Sequence, residues 1–258
     1  MTTLVHPSAV VADTADLGDG AEIGPYAVVG ADVTIGAGTT VGAHAVIEGL
    51  TSVGRECTLG VGVVLGTAPQ DVKYADEPTR VEIGDRSVLR EYVTVHRGTA
   101  AAGVTRVGAG CYLMAYVHVA HDCELGDHVT LANGVQLAGH VLIEEGANIG
   151  GLTPVHQFVR VGKWSFVGGG SRVPQDVPPY GRAAGNPLKL YGVNTVGLRR
   201  AGMPAERVAA LQRAYRLVFN SRLSRHEALT QVAREFAGVE EVEHLIDFVS
   251  ASQRGVLS

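Results

Sequence analysis

The chain has 258 residues, enough for one large domain and a smaller one, and 46% of them are hydrophobic, so a folded, core-forming protein is expected rather than a disordered one. The formal net charge of −5 argues against nucleic acid as a partner. No uncharged apolar run reaches the ~18–20 residues needed to cross a bilayer, and Met1 to His6 lacks the start of a signal peptide, so no membrane insertion and a cytoplasmic location are expected.

In chain order, the first element is a repeat. From Val5, every sixth residue is aliphatic: Val11, Leu17, Ile23, Val29, Ile35, Val41, Ile47, Val53, Leu59 and Leu65. The same phase returns at Ile83, Leu89 and Val95 and then runs from Val107 to Val173. Of the 29 positions, 26 are Leu, Ile or Val, and only Asp71, Glu77 and Ala101 are not. Glycine commonly follows the aliphatic residue, and the position four after it is small or Val, as at Ala27, Thr39 and Ala45. Each hexapeptide therefore predicts a short strand and a turn, with one aliphatic and one smaller side chain pointing inward. Three hexapeptides close an 18-residue coil, and stacked coils pair as parallel strands about 4.8 Å apart. The pattern resembles the left-handed parallel β-helix of hexapeptide-repeat acyltransferases, an exception to the usual right-handed crossover.

Cys57, Cys111 and Cys123 all fall in the smaller inward slot and read as packed thiols rather than as a disulfide framework or a metal site. The repeat breaks near 66–82 and 97–106, which predicts two loop excursions. Gln70, Asp71 and Lys73 sit in the first, and His96-Arg97-Gly98 opens the second. Loops on a rigid scaffold are favoured sites for binding residues.

The β-helix is expected over residues 1–187 and a helical domain over 188–258, after the junction Pro174 to Gly181. Pro204 marks a helix start, with an apolar face to about Asn220; Ser224 and Glu227 form a capping box, and a last helix covers about 240–252. The body carries 11 Lys and Arg against 19 Asp and Glu, a net of −8, while the tail carries 10 against 7, a net of +3. Arg207, Arg213 and Arg216 concentrate in one predicted helix, a docking face for an acidic partner protein.

On a β-helix, residues 18 apart stack in columns. His121, Gly139 and Gln157 share one column, with His140 and His156 beside it, His118 three residues earlier and Asp122 next to His121. Imidazoles gathered beside a carboxylate suit a general base or a metal site. His44 and His128 read instead as solvated turn residues.

Residues Gln70 to Arg86, Val95 to Thr99, His118 to Cys123, Leu137 to Val141, Val155 to Phe158, Gln175 to Tyr180 and Gly192 to Asn194 resemble the UDP-N-acetylglucosamine 3-O-acyltransferases that begin lipid A synthesis. That resemblance implies a homotrimer with active sites between neighbouring prisms, without a cofactor or metal. It also implies transfer of an (R)-3-hydroxyacyl group from acyl carrier protein to the 3-hydroxyl of UDP-N-acetylglucosamine. It implies His121 as general base, Asp122 as its orienting partner and the Gly139 N–H as oxyanion donor. His118, His140, His156, Gln157, Gln70, Asp71, Lys73, Asn194 and Arg200 fall on substrate-binding positions, and Gly169 falls where the family measures acyl length. The tail departs from the family pattern at Val196 and Ala201. Transfer to a 3-amino sugar nucleotide is an alternative, as is a zinc β-helix resembling γ-type carbonic anhydrases, in which the loop motifs would have no role.

Overall fold

A computed structural model describes residues 2–258. Most hexapeptides form a two-residue strand such as Thr34–Ile35 or Thr40–Val41, whose first side chain faces out and whose second is buried. Neighbouring coils pair these strands in parallel register, Thr40 with Thr58 and Val41 with Leu59. The strands form three sheets, of eleven, eight and eight members, which wall a left-handed prism. From Ile23 onward the aliphatic phase residues, among them Ile35, Ile47, Leu59, Leu65, Leu89 and Leu113, fill its buried interior, with Ala27, Ala45 and Val63 in the smaller slot; Val5, Val11 and Leu17 in the first coil stay partly exposed. The three cysteines are buried there as free thiols. Burial pushes the thiol of Cys111 up to about 11 and that of Cys123 to about 12, so both stay protonated and serve as packing.

Strand partners separated by 18 residues in the regular coils are 30 apart across the first excursion (Leu59 with Leu89) and 24 apart across the second (Leu89 with Leu113). The insertions are thus two hexapeptides and one hexapeptide long, so the aliphatic phase survives both. The three failing positions, Asp71, Glu77 and Ala101, lie in the inserted chain.

Coil corners require a left-handed residue, and many are not glycine: Tyr26, His44, Tyr92, Tyr116, Asp122, His128, His140, Phe158 and Trp164 all have φ between 53° and 64°. Such a conformation costs an L-residue about 1–2 kcal/mol. Rings in the corners lie over the next coil: a Cβ on Gly62, Gly110 or Gly146 would stand 2.6 Å from the ring of Tyr92, His128 or Trp164. Glycine is needed at those three places for the ring's sake as well as for its own positive φ.

Strands Gly181–Ala184 and Lys189–Val193 extend the eleven-stranded sheet, the last pairing antiparallel. Four helices follow: α1 (Thr195–Arg200), α2 (Ala205–Asn220), α3 (Arg225–Glu235) and α4 (Glu240–Ser250). Six-residue α1 shows no periodic signal in the sequence, and α4 stops two residues before the expected end. Pro204 occupies the cap position just before α2, and the Ser224–Glu227 capping box is present. The cap is anchored on the prism by the Tyr215 hydroxyl, which donates to the Pro179 carbonyl, by His244 against Glu144 at 2.7 Å, and by the Arg160 guanidinium over the Phe248 ring. Asp176 accepts from the Arg160 N–H and from the Ser252 hydroxyl, tying the C-terminus to the last coils.

Candidate active site

The site is built on one prism corner. His121 precedes the left-handed Asp122, and the stacked coils place Gly139 and His140 above them, the His140 N–H donating to the His121 carbonyl at 3.1 Å. Asp122 is fully buried at its side chain, and its Oδ2 lies 2.8 Å from His121 Nδ1. Burial alone would raise the Asp122 carboxyl. The His121 hydrogen bond, two hydrogen bonds from Thr99 and the charge of His140 outweigh it and leave the group below its ordinary value. An ionised carboxylate only accepts, so His121 Nδ1 carries the proton and Nε2 presents a free lone pair. The Asp122 N–H is itself held by Thr105 Oγ1 at 2.8 Å.

Gly139 has a role that the column arithmetic does not reveal. A Cβ there would stand 2.5–2.7 Å from Cε1 and Nε2 of His121. The missing side chain makes room for the imidazole itself. Among the described residues no acceptor takes the Gly139 N–H.

His140 meets His121 edge-on with centroids 5.1 Å apart and stacks on Phe158 at 4.5 Å. His118 lies on the adjoining outer sheet face, hydrogen-bonded through Nδ1 to Thr94 Oγ1 at 2.7 Å. Behind it, edge-on at 4.8 Å, is His96. Burial, and then the repulsion that a protonated His118 or His121 would add, hold the His96 imidazole down at about 4, and among the described residues its buried Nδ1 has no partner. Burial and the charge of His121 also lower His118. Both therefore stay neutral near pH 7, which keeps the floor of the site uncharged. His156 and Gln157 are exposed on the same corner, the His156 Nδ1–H donating to the Gln157 carbonyl at 3.2 Å.

Other expected residues stand apart from this cluster. Asp71 Oδ1 accepts from the Lys73 N–H within its own turn, and Gln70 is exposed beside them. Arg97 holds that loop, donating to Tyr74 Oη at 2.7 Å and to the Gly66 carbonyl at 2.9 Å. Asn194 caps α1, accepting from the Gly197 N–H and donating to the Trp164 carbonyl, so both ends of its amide are engaged inside the chain. Arg200 borders a cleft of about 760 Å³ between cap and prism, lined also by Trp164, Phe166, Arg182, Tyr191 and Arg216; none of the histidines reaches it. Gly169 does not hold the left-handed turn, which falls to Gly170, and a Cβ on Gly169 would meet the Gly151 backbone at 3.2 Å. The α2 arginines divide: Arg207 pairs with Glu241 at 2.7 Å, Arg213 lies over the Phe236 ring, and Arg216 faces the cleft.

His121, Asp122 and His140 form one group whose ligand atoms lie within 4.8 Å, close enough to converge on a metal. The carboxylate, however, already accepts three hydrogen bonds, from His121, the Thr99 hydroxyl and the Thr99 N–H, an arrangement suited to a proton-transfer pair.

Thr94, His96, Thr99, Thr105 and Phe158 escape the sequence reading as individual site residues. Thr99 lies in inserted chain, outside any column. Phe158 was findable, being 18 residues after His140.

Comparison with known proteins gives a consistent result. A family model described as UDP-N-acetylglucosamine O-acyltransferase, domain 2, matches residues 176–257, and a bacterial transferase hexapeptide model matches 14–49 and 105–139. An acyl-[acyl-carrier-protein]--UDP-N-acetylglucosamine O-acyltransferase from Myxococcus xanthus is 50% identical over 253 residues, 98% of each chain. One of the same name from Burkholderia orbicola is 47% identical over 99% of each. Among solved structures, LpxA from Acinetobacter baumannii superposes with a TM-score of 0.96 at 38% identity, covering 99% of this chain and 100% of that one. The UDP-N-acetylglucosamine O-acyltransferase of Moraxella catarrhalis gives 0.95 at 42%, covering 98% and 99%.

Proposed function

Because this chain belongs to the acyl-[acyl-carrier-protein]--UDP-N-acetylglucosamine O-acyltransferase family, we propose that the His121–Asp122 corner performs the family's acyl transfer. The enzyme moves an (R)-3-hydroxyacyl group from acyl carrier protein to the 3-hydroxyl of UDP-N-acetylglucosamine, the first step of lipid A biosynthesis. The observation that carries the site assignment is the imidazole lying over Gly139 with Nδ1 fixed on a buried carboxylate.

His121 Nε2 takes the hydroxyl proton as the sugar oxygen attacks the thioester carbon. Asp122 stabilises the imidazolium that forms, and the free Gly139 N–H donates to the developing oxyanion. When the tetrahedral adduct collapses, the carbon–sulfur bond breaks and the imidazolium returns its proton to the departing thiolate. Neutral His118, with His140, His156 and Gln157, fits the role of hydrogen-bonding the sugar nucleotide. Gly169 leaves a groove without a side chain for the acyl tail.

Gln70, Asp71 and Lys73 would complete this site from a neighbouring subunit, since they are not joined to the histidines within the chain. Arg200 would meet the nucleotide diphosphate from the cleft. A homotrimer accounts for both placements and for Tyr26, Tyr116 and Leu152, which stand 61%, 62% and 76% exposed along one prism edge. Its mass in solution should be threefold that of the 26.9 kDa chain.

Incubating the enzyme with 3-hydroxyacyl carrier protein and either UDP-N-acetylglucosamine or its 3-amino analogue tests the reaction. Ester formation on the first substrate is expected; acylation of the amine alone would contradict it.

A further inference from the structure

From the contacts of the second insertion, we infer that Thr99 is a positioning residue for the reaction, fixing the charge and orientation of Asp122 and, through it, His121. The inference rests on the His121–Asp122 pair being the proton-transfer machinery.

A fully buried carboxylate is tolerated only where hydrogen bonds replace its water. Asp122 has three such bonds, and two come from one residue: the Thr99 N–H donates to Oδ1 at 2.8 Å and the Thr99 hydroxyl to Oδ2 at 2.7 Å. The third is the His121 N–H, so Oδ2 is shared between Thr99 and the base. With Thr99 bound, the carboxylate can neither rotate away from His121 nor take up a proton easily.

The chain around Thr99 serves this placement. The inserted hexapeptide closes on itself, the Gly103 N–H donating to the Thr99 carbonyl at 2.7 Å and the Ala101 N–H to Thr99 Oγ1 at 3.2 Å. Gly103 in turn accepts from the Arg80 N–H. From Thr99 to Gly103 the sequence is Thr-Ala-Ala-Ala-Gly, so Thr99 supplies the only polar side chain in the turn, and it points onto Asp122.

A double-mutant cycle on kcat reads this directly. Thr99→Val keeps the backbone donor and removes the hydroxyl. It should lower kcat about 10- to 100-fold, the range for a hydrogen bond to a charged group, with KM for UDP-N-acetylglucosamine within about threefold. Thr99→Ser should recover kcat to within about threefold of wild type. On an Asp122→Asn background, Thr99→Val should cost less than about threefold more, because the charge it positions is gone. Equal losses on both backgrounds would overturn the inference while leaving the base intact, and so would a Ser variant as slow as Val. An Asp122→Asn enzyme with wild-type kcat would instead remove the proton-transfer pair, and Thr99's role with it.

Discussion

Along one corner of the prism His44 stacks on Tyr26 with ring centroids 5.1 Å apart and planes 12° from parallel; along another, His140 stacks on Phe158 at 4.5 Å and 7°. Both histidines are left-handed corner residues, with φ of 58° and 61°, and both N–H groups donate to the coil below. His44 is exposed and faces solvent, whereas His140 lies 3.7 Å from a buried carboxylate. The scaffold supplies the same imidazole at the same geometry twice. What differs is the residue one coil below, Tyr26 under His44 and Asp122 under His140, and the inserted hexapeptide that covers Asp122 and removes water from it. Low local dielectric strengthens every charge interaction there, so the covered carboxylate rather than corner geometry separates a surface ring from a reactive one.

The comparison breaks most visibly at the base. His121→Ala should reduce kcat by ~10²–10⁴-fold, the usual share of general base catalysis, while far-ultraviolet circular dichroism and solution mass stay unchanged. His118→Ala and Gln157→Ala should raise KM for UDP-N-acetylglucosamine by about tenfold and change kcat much less, as residues that position substrate do.

A thermodynamic signature should follow from His96. An unfolded chain's imidazole titrates near 6.5, but burial beside His118 and His121 holds the folded one at about 4. Between those values the unfolded state binds a proton that the native state refuses, so stability rises with pH across the window and is lost on acidification toward 4. Urea unfolding at pH 4.5 and 7 should show a loss of about 2 kcal/mol from this group, and His96→Gln should flatten it.

Charge contrast between cap and prism predicts that added salt raises KM for the acyl carrier protein more than KM for the sugar nucleotide, by a few-fold. Since Arg207 is paired with Glu241, Arg213→Ala or Arg216→Ala should reduce that difference more than Arg207→Ala. The smallest effect belongs to the other corner: His44→Ala should leave kcat and KM within about twofold of wild type, by steady-state assay.

Period six makes the prism legible in the sequence, because a coil admits only one aliphatic phase, and columns of 18 bring His121, Gly139 and Gln157 together by arithmetic alone. Arithmetic of that kind fails where inserted chain folds back over the prism. Thr99 lies 23 residues from Asp122, a separation that no column contains. His96 is visible only as part of a loop motif, since the strand register sets Thr94 rather than His96 against His118, and the two rings meet off the column, 22 residues apart. Asn194 and Arg200 show another limit: a polar residue can be recognised by its motif, yet only the packed cap reveals that one amide is fully engaged and the guanidinium borders a separate cleft.

Whether the covered carboxylate is what makes this corner reactive is tested most directly by kcat of Asp122→Asn, measured with saturating substrates on protein of wild-type solution mass. The expected result is a loss of about 10²-fold or more, with KM for UDP-N-acetylglucosamine within about threefold. A kcat within about threefold of wild type would show that His121 works without its buried partner, and the distinction between the two corners would have to lie elsewhere.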